Sequence, residues 1–520
     1  MLFRSYELFC EPDFYRNTIN LRVASKGVDS RGNMAAFRVR ELTGRGDFTE
    51  ASPGTGRFNA GAEIAGLDKL AGNSCEVEAE IRTADGKALK TLHKHLSLEK
   101  PYFVHSPEGK LQGKAPAPWT PLETVSTDGK LALKVWNRTY EFPATGPMIG
   151  AIDTAGAEIL AAPATLNLNG KALARTALKV EQADALAATF TDRFEQGGLT
   201  VTGKSVAEYD GYIIFDYTLT ADRPTEVGSF SLTVPLKQEY ANLACADRVF
   251  DPPSRDLLGD AWFSGEIGEG QNFQFTPNLF IGNADLGLTF QAESDEFYRN
   301  GDRQKAIQIL RDGKTTTLKI NFIDTPTKLK PGECFHYRFA LMAFPAKPQA
   351  HDIWDLRLAR AEPYGGDLDA PDAEIDGKPA FQDDQDRGFK RLFFNVNESF
   401  SWPLSRPGSA AYDMALHRYI DTAHSYGLKV HPYLIHQRIP VNIPEFEVYG
   451  PYMVKYPWAQ YSQGFNGPDP DVARPGPISV KYGANSQQTL FMCFNSEALR
   501  DAVAASLAKR LDIFGDDGVY

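Results

Sequence analysis

The stretch Val206-Ala-Glu-Tyr-Asp-Gly-Tyr-Ile-Ile-Phe-Asp-Tyr-Thr-Leu219 decides the fold of the first 350 residues. Polar and apolar side chains alternate around Asp210-Gly211, which is the pattern of two half-buried strands joined by a tight turn. Asp-Gly and Asn-Gly supply the positive φ that such turns need. The same signal recurs at Asp85-Gly86, Asn169-Gly170 and Asp312-Gly313, so this region predicts antiparallel hairpins.

A Pro-rich break at Lys114-Ala-Pro-Ala-Pro-Trp-Thr-Pro121 divides the β region, and a second break follows Phe344. The length of 520 residues fits three or four domains. We predict an immunoglobulin-like β-sandwich at 1–105, a Pro-rich linker at 106–119, a large β-sandwich at 120–346, a linker at 347–384 and a catalytic-type partial barrel at 385–520.

Short apolar strands alternate with helices after about residue 385. The predicted elements are a strand at Arg391–Asn397, a helix ending before Gly427, a strand at Leu428–Ile435, a strand at Leu490–Phe494, a helix from Glu497 capped by Asn495 or Ser496 and stopped by Gly515, and a strand from Asp517. Such alternation predicts a parallel sheet with right-handed crossovers. Four strands correspond to the first half of a (β/α)8 TIM-type barrel, so we expect a chain cut within that barrel at Tyr520.

Composition and missing motifs exclude several classes of function. Lys and Arg number 55 against 67 Asp and Glu, a formal net charge of −12, whereas proteins that bind nucleic acid are usually basic. Five widely spaced cysteines indicate neither a CxxC metal site nor a disulfide framework. No nucleotide-binding loop, GxSxG elbow or HExxH motif occurs, and no cofactor is expected.

Membrane and targeting signals are also absent from the sequence. It has no run of 18 apolar residues, and the N-terminus has no apolar signal core. We therefore expect a soluble protein without a membrane-spanning segment. The sequence does not identify the compartment. If the N-terminus is incomplete, we expect a secreted or periplasmic protein.

Several segments of the sequence are similar to segments of one group of proteins. They are Pro116–Pro121 with Val135–Phe142, Phe290–Asp295 with Ala306–Arg311, Ala423–Val430 with Pro432-Tyr433, and Phe494–Ser496 with Asp517–Tyr520. As a set they resemble large bacterial proteins related to glycoside hydrolase family 123. The resemblance implies a β-sandwich packed on a (β/α)8 barrel that acts on glycans, including glycans that contain N-acetylhexosamine.

Glycoside hydrolysis needs two carboxyl groups across the scissile bond, or one acid with a partner that orients a substrate acetamide. The resemblance implies the second kind, in which an adjacent Asp-Glu pair assists the sugar's own 2-acetamido group. Asp516-Asp517 precedes the fourth predicted strand and so belongs to the N-terminal face of the barrel. Active sites of this fold lie at the C-terminal face. We therefore predict a structural turn there, leave the catalytic residues unknown and expect them beyond Tyr520.

Three candidate substrate-binding residues follow the first predicted barrel strand. Asn397 and Glu398 can bind sugar hydroxyls, and Trp402 can stack on the C–H face of a sugar ring. The alternative is a solvated loop acid for Glu398 and a packing residue beside Pro403 for Trp402.

Three further candidates belong to the second strand and the loop after it. Tyr433 lies in a segment of family resemblance, and Arg438 can bind a hydroxyl or carboxylate bidentately or pair with Glu445 or Glu447. Trp458 lies in a long aromatic-rich loop, which suits either a sugar-binding rim or a self-packed lid.

Four of the nine histidines, His417, His424, His431 and His436, crowd into the barrel segment. The first two are seven residues apart on a helix, a rise of about 10.5 Å that is too long for one ion. The last two are five apart on a strand and point to opposite faces. We predict packing or hydrogen-bonded histidines and no metal site.

These observations favour a glycoside hydrolase-like protein whose catalytic barrel is incomplete in this chain. A noncatalytic glycan-binding or scaffold protein with a vestigial barrel and a polysaccharide lyase are the alternatives. We expect a glycan or oligosaccharide as partner, no nucleic acid, and no appreciable hydrolysis by residues 1–520 alone. The sugar, the linkage and the oligomeric state are left open.

Overall fold

The structure, a computed structural model, describes the β-rich region and parts of the segment after it. The described residues are 5–26, 33–41, 49–50, 62–70, 73–127, 129–246, 263–348, 358–359, 373–395, 410–433, 438–440, 489–491, 494–515 and 517. Strands dominate, which confirms the predicted β-rich fold class. The chain forms two compact units, Met1–Lys110 with His351–Tyr520, and Leu111–Ala350. Across the described ranges no helix is both long and apolar enough to traverse a lipid bilayer.

The first unit begins with two antiparallel sheets. Its strands are β1 (Ser5–Asp13), β2 (Thr18–Lys26), β3 (Met34–Glu41), β4 (Thr49–Glu50), β5 (Ala62–Ala65), β6 (Ser74–Arg82) and β7 (Ala88–Ser97). One sheet has the order β1-β2-β5 and the other β4-β3-β6-β7. Ile19 and Leu21 of the first sheet share a core with Val77 and Ile81 of the second, so the two sheets form a sandwich.

The second unit is a larger assembly of antiparallel strands. They are β8 (Glu123–Thr127), β9 (Lys130–Val135), β10 (Arg138–Phe142), β11 (Ala151–Thr154), β12 (Ala157–Glu158), β13 (Thr165–Leu168), β14 (Lys171–Ala172), β15 (Arg175–Ala183), β16 (Ala187–Gln196), β17 (Leu199–Glu208), β18 (Ile213–Ala221), β19 (Thr225–Val227), β20 (Phe230–Lys237), β21 (Leu243–Ala246), β22 (Phe263–Glu266), β23 (Gly270–Phe273), β24 (Asn278–Gly282), β25 (Gly287–Ala292), β26 (Ile307–Asp312), β27 (Thr315–Ile323), β28 (Thr327–Leu329) and β29 (Cys334–Phe344).

Two large sheets of this unit enclose one core. A nine-stranded sheet has the order β15-β16-β17-β18-β29-β25-β24-β21-β22, and a six-stranded sheet has the order β14-β13-β20-β27-β26-β23. Phe215 and Phe339 from the first sheet and Phe230 and Phe322 from the second are all buried in the same cluster. A five-stranded sheet, β12-β11-β10-β9-β8, adds Leu133 and neighbouring residues to that cluster.

The predicted hairpins are confirmed. β17 and β18 pair antiparallel across Asp210-Gly211, and Gly211 has a φ of 80°. Gly86, Gly170 and Gly313 also have positive φ and join β6 to β7, β13 to β14 and β26 to β27. Each Asp-Gly or Asn-Gly pair therefore marks a tight turn, as its backbone preference dictates.

The C-terminal part of the first unit has mixed secondary structure. Its elements are β30 (Leu358–Ala359), β31 (Glu374–Ile375), β32 (Lys378–Pro379), α1 (Ala380–Asp386), β33 (Arg391–Asn395), α2 (Ala410–Ser425), β34 (Lys429–Tyr433), β35 (Arg438–Pro440), β36 (Thr489–Phe491) and α3 (Glu497–Phe514). β30, β33 and β34 form a parallel sheet. As predicted, the Ser496 hydroxyl caps α3 by accepting from Leu499 N, and Gly515 ends it in a left-handed conformation.

Two details differ from the sequence prediction. The stretch 347–384, predicted as a linker, includes the β31–β32 hairpin and α1, whose Phe381 is buried against Tyr419. The predicted strand Leu490–Phe494 was expected to extend the parallel sheet, but β36 pairs antiparallel with β35. An apolar run of this length indicates a strand without indicating which neighbour it pairs with.

Candidate functional site

The candidate site is the edge of the parallel sheet at which β33 and β34 end. The two strands pair in register from Arg391 opposite Lys429 to Asn395 opposite Tyr433. Helix α2 connects them, as a parallel crossover requires. Asn395 and Tyr433 are thus neighbours at the carboxyl ends of adjacent strands, where ligands bind in α/β sheets.

A small apolar core fixes this strand pair to its crossover helix. Leu392 of β33 and Val430 of β34 are buried with Leu416 and Ile420 of α2. Gly427, with a φ of 73°, ends the helix and turns the chain into β34. Burial of Leu392 against α2 places this side chain on the helix-covered face of β33.

The predicted substrate-binding residues are only partly covered by the structure. Tyr433 is the last residue of β34, and Arg438 is the first residue of β35, opposite Phe491. Asn397, Glu398, Trp402 and Trp458 lie outside the described residues. The six assignments stay predictions.

Asp517 lies at the other end of the parallel sheet. Its Oδ2 accepts from the backbone N–H of Val430 at 2.8 Å and lies 2.8 Å from His424 Nε2. Its own backbone N–H donates to the Val430 carbonyl, at the start of β34. Partial burial raises the pKa of Asp517, but the bonds from Val430 and His424 outweigh it and hold that pKa below its usual value. These contacts agree with the predicted structural turn, and Asp516 lies outside the described residues.

The histidines of this segment occupy separate environments. His424 pairs with Asp517, whereas His417 packs against the ring of Phe514 at 5.4 Å between centroids. The Nε2 atom of His431 is buried and has no hydrogen-bond partner among the described residues. Burial, then the charge of Arg391, lowers the pKa of His431. These contacts agree with packing and hydrogen-bonding roles, and His436 lies outside the described residues.

A second cluster of polar groups, which no sequence motif predicted, joins the N-terminal sandwich to α3. Ligand atoms of His105, Glu497 and Asp501 lie within 4.8 Å of one another, the one such group found in the described part of the chain. Tyr15 OH donates to Asp501 Oδ2 at 3.0 Å, and Lys110 Nζ lies 3.2 Å from Asp501 Oδ1. Because the lysine already neutralises the buried carboxylate, we interpret the cluster as a docking contact rather than a metal site. Its members are about 400 positions apart, so spacing rules could not detect it.

Comparison with known proteins identifies the second unit. Residues 144–345, which run from the end of β10 through β29, match the family model described as glycoside hydrolase 123, third domain. The second unit is similar to the third domain of glycoside hydrolase 123. The match confirms the family resemblance inferred from the sequence and assigns the large sandwich to that domain type. No curated protein matches the chain.

Solved structures add only distant similarities. The galactosidase domain of the alpha-galactosidase-sucrose kinase AgaSK is 12% identical, with a TM-score of 0.31 over 76% of this chain and 66% of that one. The family 36 alpha-galactosidase AgaB from Geobacillus stearothermophilus is 11% identical, with a TM-score of 0.35 over 76% and 65%. The alpha-galactosidase from Lactobacillus brevis is 9% identical, with a TM-score of 0.33 over 76% and 63%. The chain spans less than two thirds of the length of each.

Proposed function

We propose that this chain is a glycoside hydrolase-like protein that acts on glycans, among them N-acetylhexosamine-containing ones. The observation that supports the proposal is the match of residues 144–345 to the third domain of glycoside hydrolase 123. The supporting domain is a β-sandwich, and because a fold does not by itself define a reaction, the groups that act on the sugar have to be located separately.

The parallel sheet is the proposed source of those groups. We take β30, β33 and β34, with the crossover helix α2, as the beginning of a (β/α)8 barrel. Parallel pairing and a helical crossover that buries Leu416 and Ile420 on the sheet both fit such a barrel.

The proposed sugar contacts follow the carboxyl ends of β33 and β34. Asn397 and Glu398 come two and three residues after Asn395, and Tyr433 ends the neighbouring strand. Amide and carboxylate groups can bind sugar hydroxyls, while aromatic rings pack on the C–H face of a sugar. Trp402, Arg438 and Trp458 complete the proposed set.

Binding to immobilised oligosaccharides is the first test, with the full chain and a panel of N-acetylhexosamine-containing and other glycans. Glu398→Gln removes the proposed charged acceptor and is expected to weaken binding about 10- to 100-fold, the range for a hydrogen bond to a charged group. Glu374→Gln is the matched control, because Glu374 is exposed on β31 in the same unit. Binding that Glu398→Gln and Arg438→Gln leave at the level of Glu374→Gln would contradict the site.

The reaction class needs a separate measurement on every glycan that binds. New reducing ends would indicate hydrolysis, whereas ultraviolet absorbance from unsaturated product ends would indicate a lyase. Binding without either product would favour the noncatalytic alternative for this chain. Absence of binding to every glycan of the panel would count against the proposed function itself.

A further inference from the structure

Cys334 begins β29 and lies on the exposed face of the nine-stranded sheet. Its Sγ is 3.2 Å from Nε2 of His336, two residues along the same strand. The other ring nitrogen, Nδ1, is 3.1 Å from the Thr218 hydroxyl, and Thr218 is the cross-strand partner of His336. Strand alternation places the thiol, the imidazole and the hydroxyl on one face, where all three reach solvent.

The three groups have complementary hydrogen-bonding roles. With the proton of the neutral imidazole on Nδ1, that N–H donates to the Thr218 oxygen and Nε2 is left as an acceptor for the Cys334 thiol. Phe297 packs edge-on against the His336 ring, with centroids 5.7 Å apart, and restricts its rotation. A base next to a thiol, itself oriented by a third group, is the arrangement that activates nucleophilic cysteines.

Other described cysteines are in contrasting surroundings. Cys10 and Cys75 are buried in the core of the N-terminal sandwich, and burial raises their pKa values to about 12 and about 11. Both therefore stay protonated at neutral pH and sheltered from reagents. Cys245 is half-buried on β21. Exposure and a basic neighbour distinguish Cys334 from all three.

We propose that Cys334, with His336 as its base and Thr218 as a positioning residue, is a site of covalent modification by small disulfides. His336 Nε2 takes the thiol proton, and the thiolate attacks one sulfur of the disulfide. A Cys334–S–S–R bond forms as the original S–S bond breaks, and the second half leaves as a thiolate that recovers the proton from the imidazolium. One disulfide is consumed and one is formed, so no other oxidant or reductant is needed. The site uses none of the residues proposed to contact glycans and does not depend on the function proposed for them.

The test measures the rate at which dithiobis(nitrobenzoate), an aryl disulfide, modifies the full chain at pH 7. Peptide mass mapping identifies which of the five cysteines reacts, including Cys493, which lies outside the described residues. Because about 3% of a free thiol is ionised at pH 7, proton transfer to a base can accelerate the reaction by at most about 30-fold. We expect Cys334 to react first, and His336→Asn to slow its modification about tenfold.

Two threonine variants separate positioning from packing. Thr218→Val removes the hydroxyl that contacts His336, and we expect it to slow Cys334 modification about threefold. Thr176→Val is the control, since Thr176 is exposed on β15 of the same sheet and its hydroxyl donates to the Arg193 carbonyl instead. The denatured chain gives the reference rate for an unassisted cysteine.

The outcomes are distinct. A fast reaction that maps to Cys334, disappears in Cys334→Ser and slows in His336→Asn but not in Thr176→Val supports the proposal. Equal rates for Cys334 in the native chain, in His336→Asn and in the denatured chain would overturn it. First modification at Cys245 or Cys493 would overturn it as well. All of these variants change exposed or half-exposed side chains, and circular dichroism verifies that each remains folded.

Discussion

Arg175 and Asp192 form an ion pair inside the large sandwich, and removing one partner is the most informative perturbation of that unit. Both side chains have no exposed surface. Arg175 donates to Asp192 Oδ2 through Nε at 3.2 Å and through Nη2 at 2.9 Å, and Tyr217 OH donates to the same oxygen at 3.2 Å. Arg175 also donates to the carbonyls of Pro143 and Met148. The guanidinium thus makes four hydrogen bonds within the core.

Asp192→Ala removes three hydrogen bonds and leaves the Arg175 charge buried without a counter-ion. Loss of one partner from such a pair lowers the free energy of unfolding by about 3–5 kcal/mol. For a unit of this size, about 2–4 °C per kcal/mol converts that loss to a decrease of roughly 6–20 °C in the melting temperature. Scanning calorimetry of the full chain measures it. Replacing both residues with apolar ones should cost less than Asp192→Ala alone, because no charge then stays unpaired.

Gly203 offers an independent test of the same contact. A Cβ at this position would lie 2.0 Å from Asp192 Oδ1 and 2.3 Å from Tyr217 Cε1. Gly203→Ala is expected to lower the stability by about 1–3 kcal/mol through overpacking. Gly265→Ala is the control, since its Cβ would have no neighbour within 4 Å. A loss of less than about 1 kcal/mol in Asp192→Ala, or equal effects of the two glycine variants, would refute the reasoning.

Two further predictions concern the first unit. Because the pKa values of His431 and Asp517 are lowered in the folded chain, the unfolded chain binds more protons on acidification, and stability is lost as the pH falls. The loss of stability should begin below the ordinary histidine pKa of 6.5, and protonation of Asp517 should add to it in stronger acid. Calorimetry should show a melting temperature that decreases less steeply with falling pH in His431→Gln. A melting temperature that is unchanged between pH 7 and pH 5 would contradict the lowered pKa of His431. Asp501→Ala removes the acceptor for Tyr15 OH and should increase the amide hydrogen-exchange rates of α3 about tenfold. Asp512→Asn, at an exposed position of the same helix, should leave those rates unchanged. Equal exchange rates in both variants would mean that the cluster does not dock the sandwich on α3.

Local sequence rules predicted the β part of the fold well, because its information is local. Period-two alternation and the Asp-Gly turns identify β17 and β18 without knowledge of any distant residue. The caps of α3 could also be predicted, because Ser496 and Gly515 are recognised from the residues next to them in the chain. The contacts of Asp517 with Val430 agree with the turn that was predicted at this position. The antiparallel pairing of β36 with β35 could not be predicted, because the pattern of apolar residues in a three-residue strand does not indicate which strand it pairs with.

The contacts that the sequence failed to predict join residues far apart in the chain. Arg175 and Asp192 read as ordinary polar positions on β15 and β16, and only the folded unit shows that they face each other in the core. The same holds for Cys334 and Thr218, which are brought together by the pairing of β18 with β29. For the proposed glycan site the situation is the reverse: residue chemistry and strand order suggested it, and the structure describes only its strand ends.

The discontinuous make-up of the first unit has a consequence for synthesis of the chain. Tyr102 OH contacts the Ser506 hydroxyl at 2.8 Å, and these residues are 404 positions apart. At roughly 5–20 residues per second, a ribosome needs about 20–80 s to make the intervening chain. All of residues 111–350 emerge in that interval and can fold as a unit before α3 exists. The contacts around Asp501 therefore form only after residues 111–350 have been made, and the N-terminal sandwich must stay soluble without them until then.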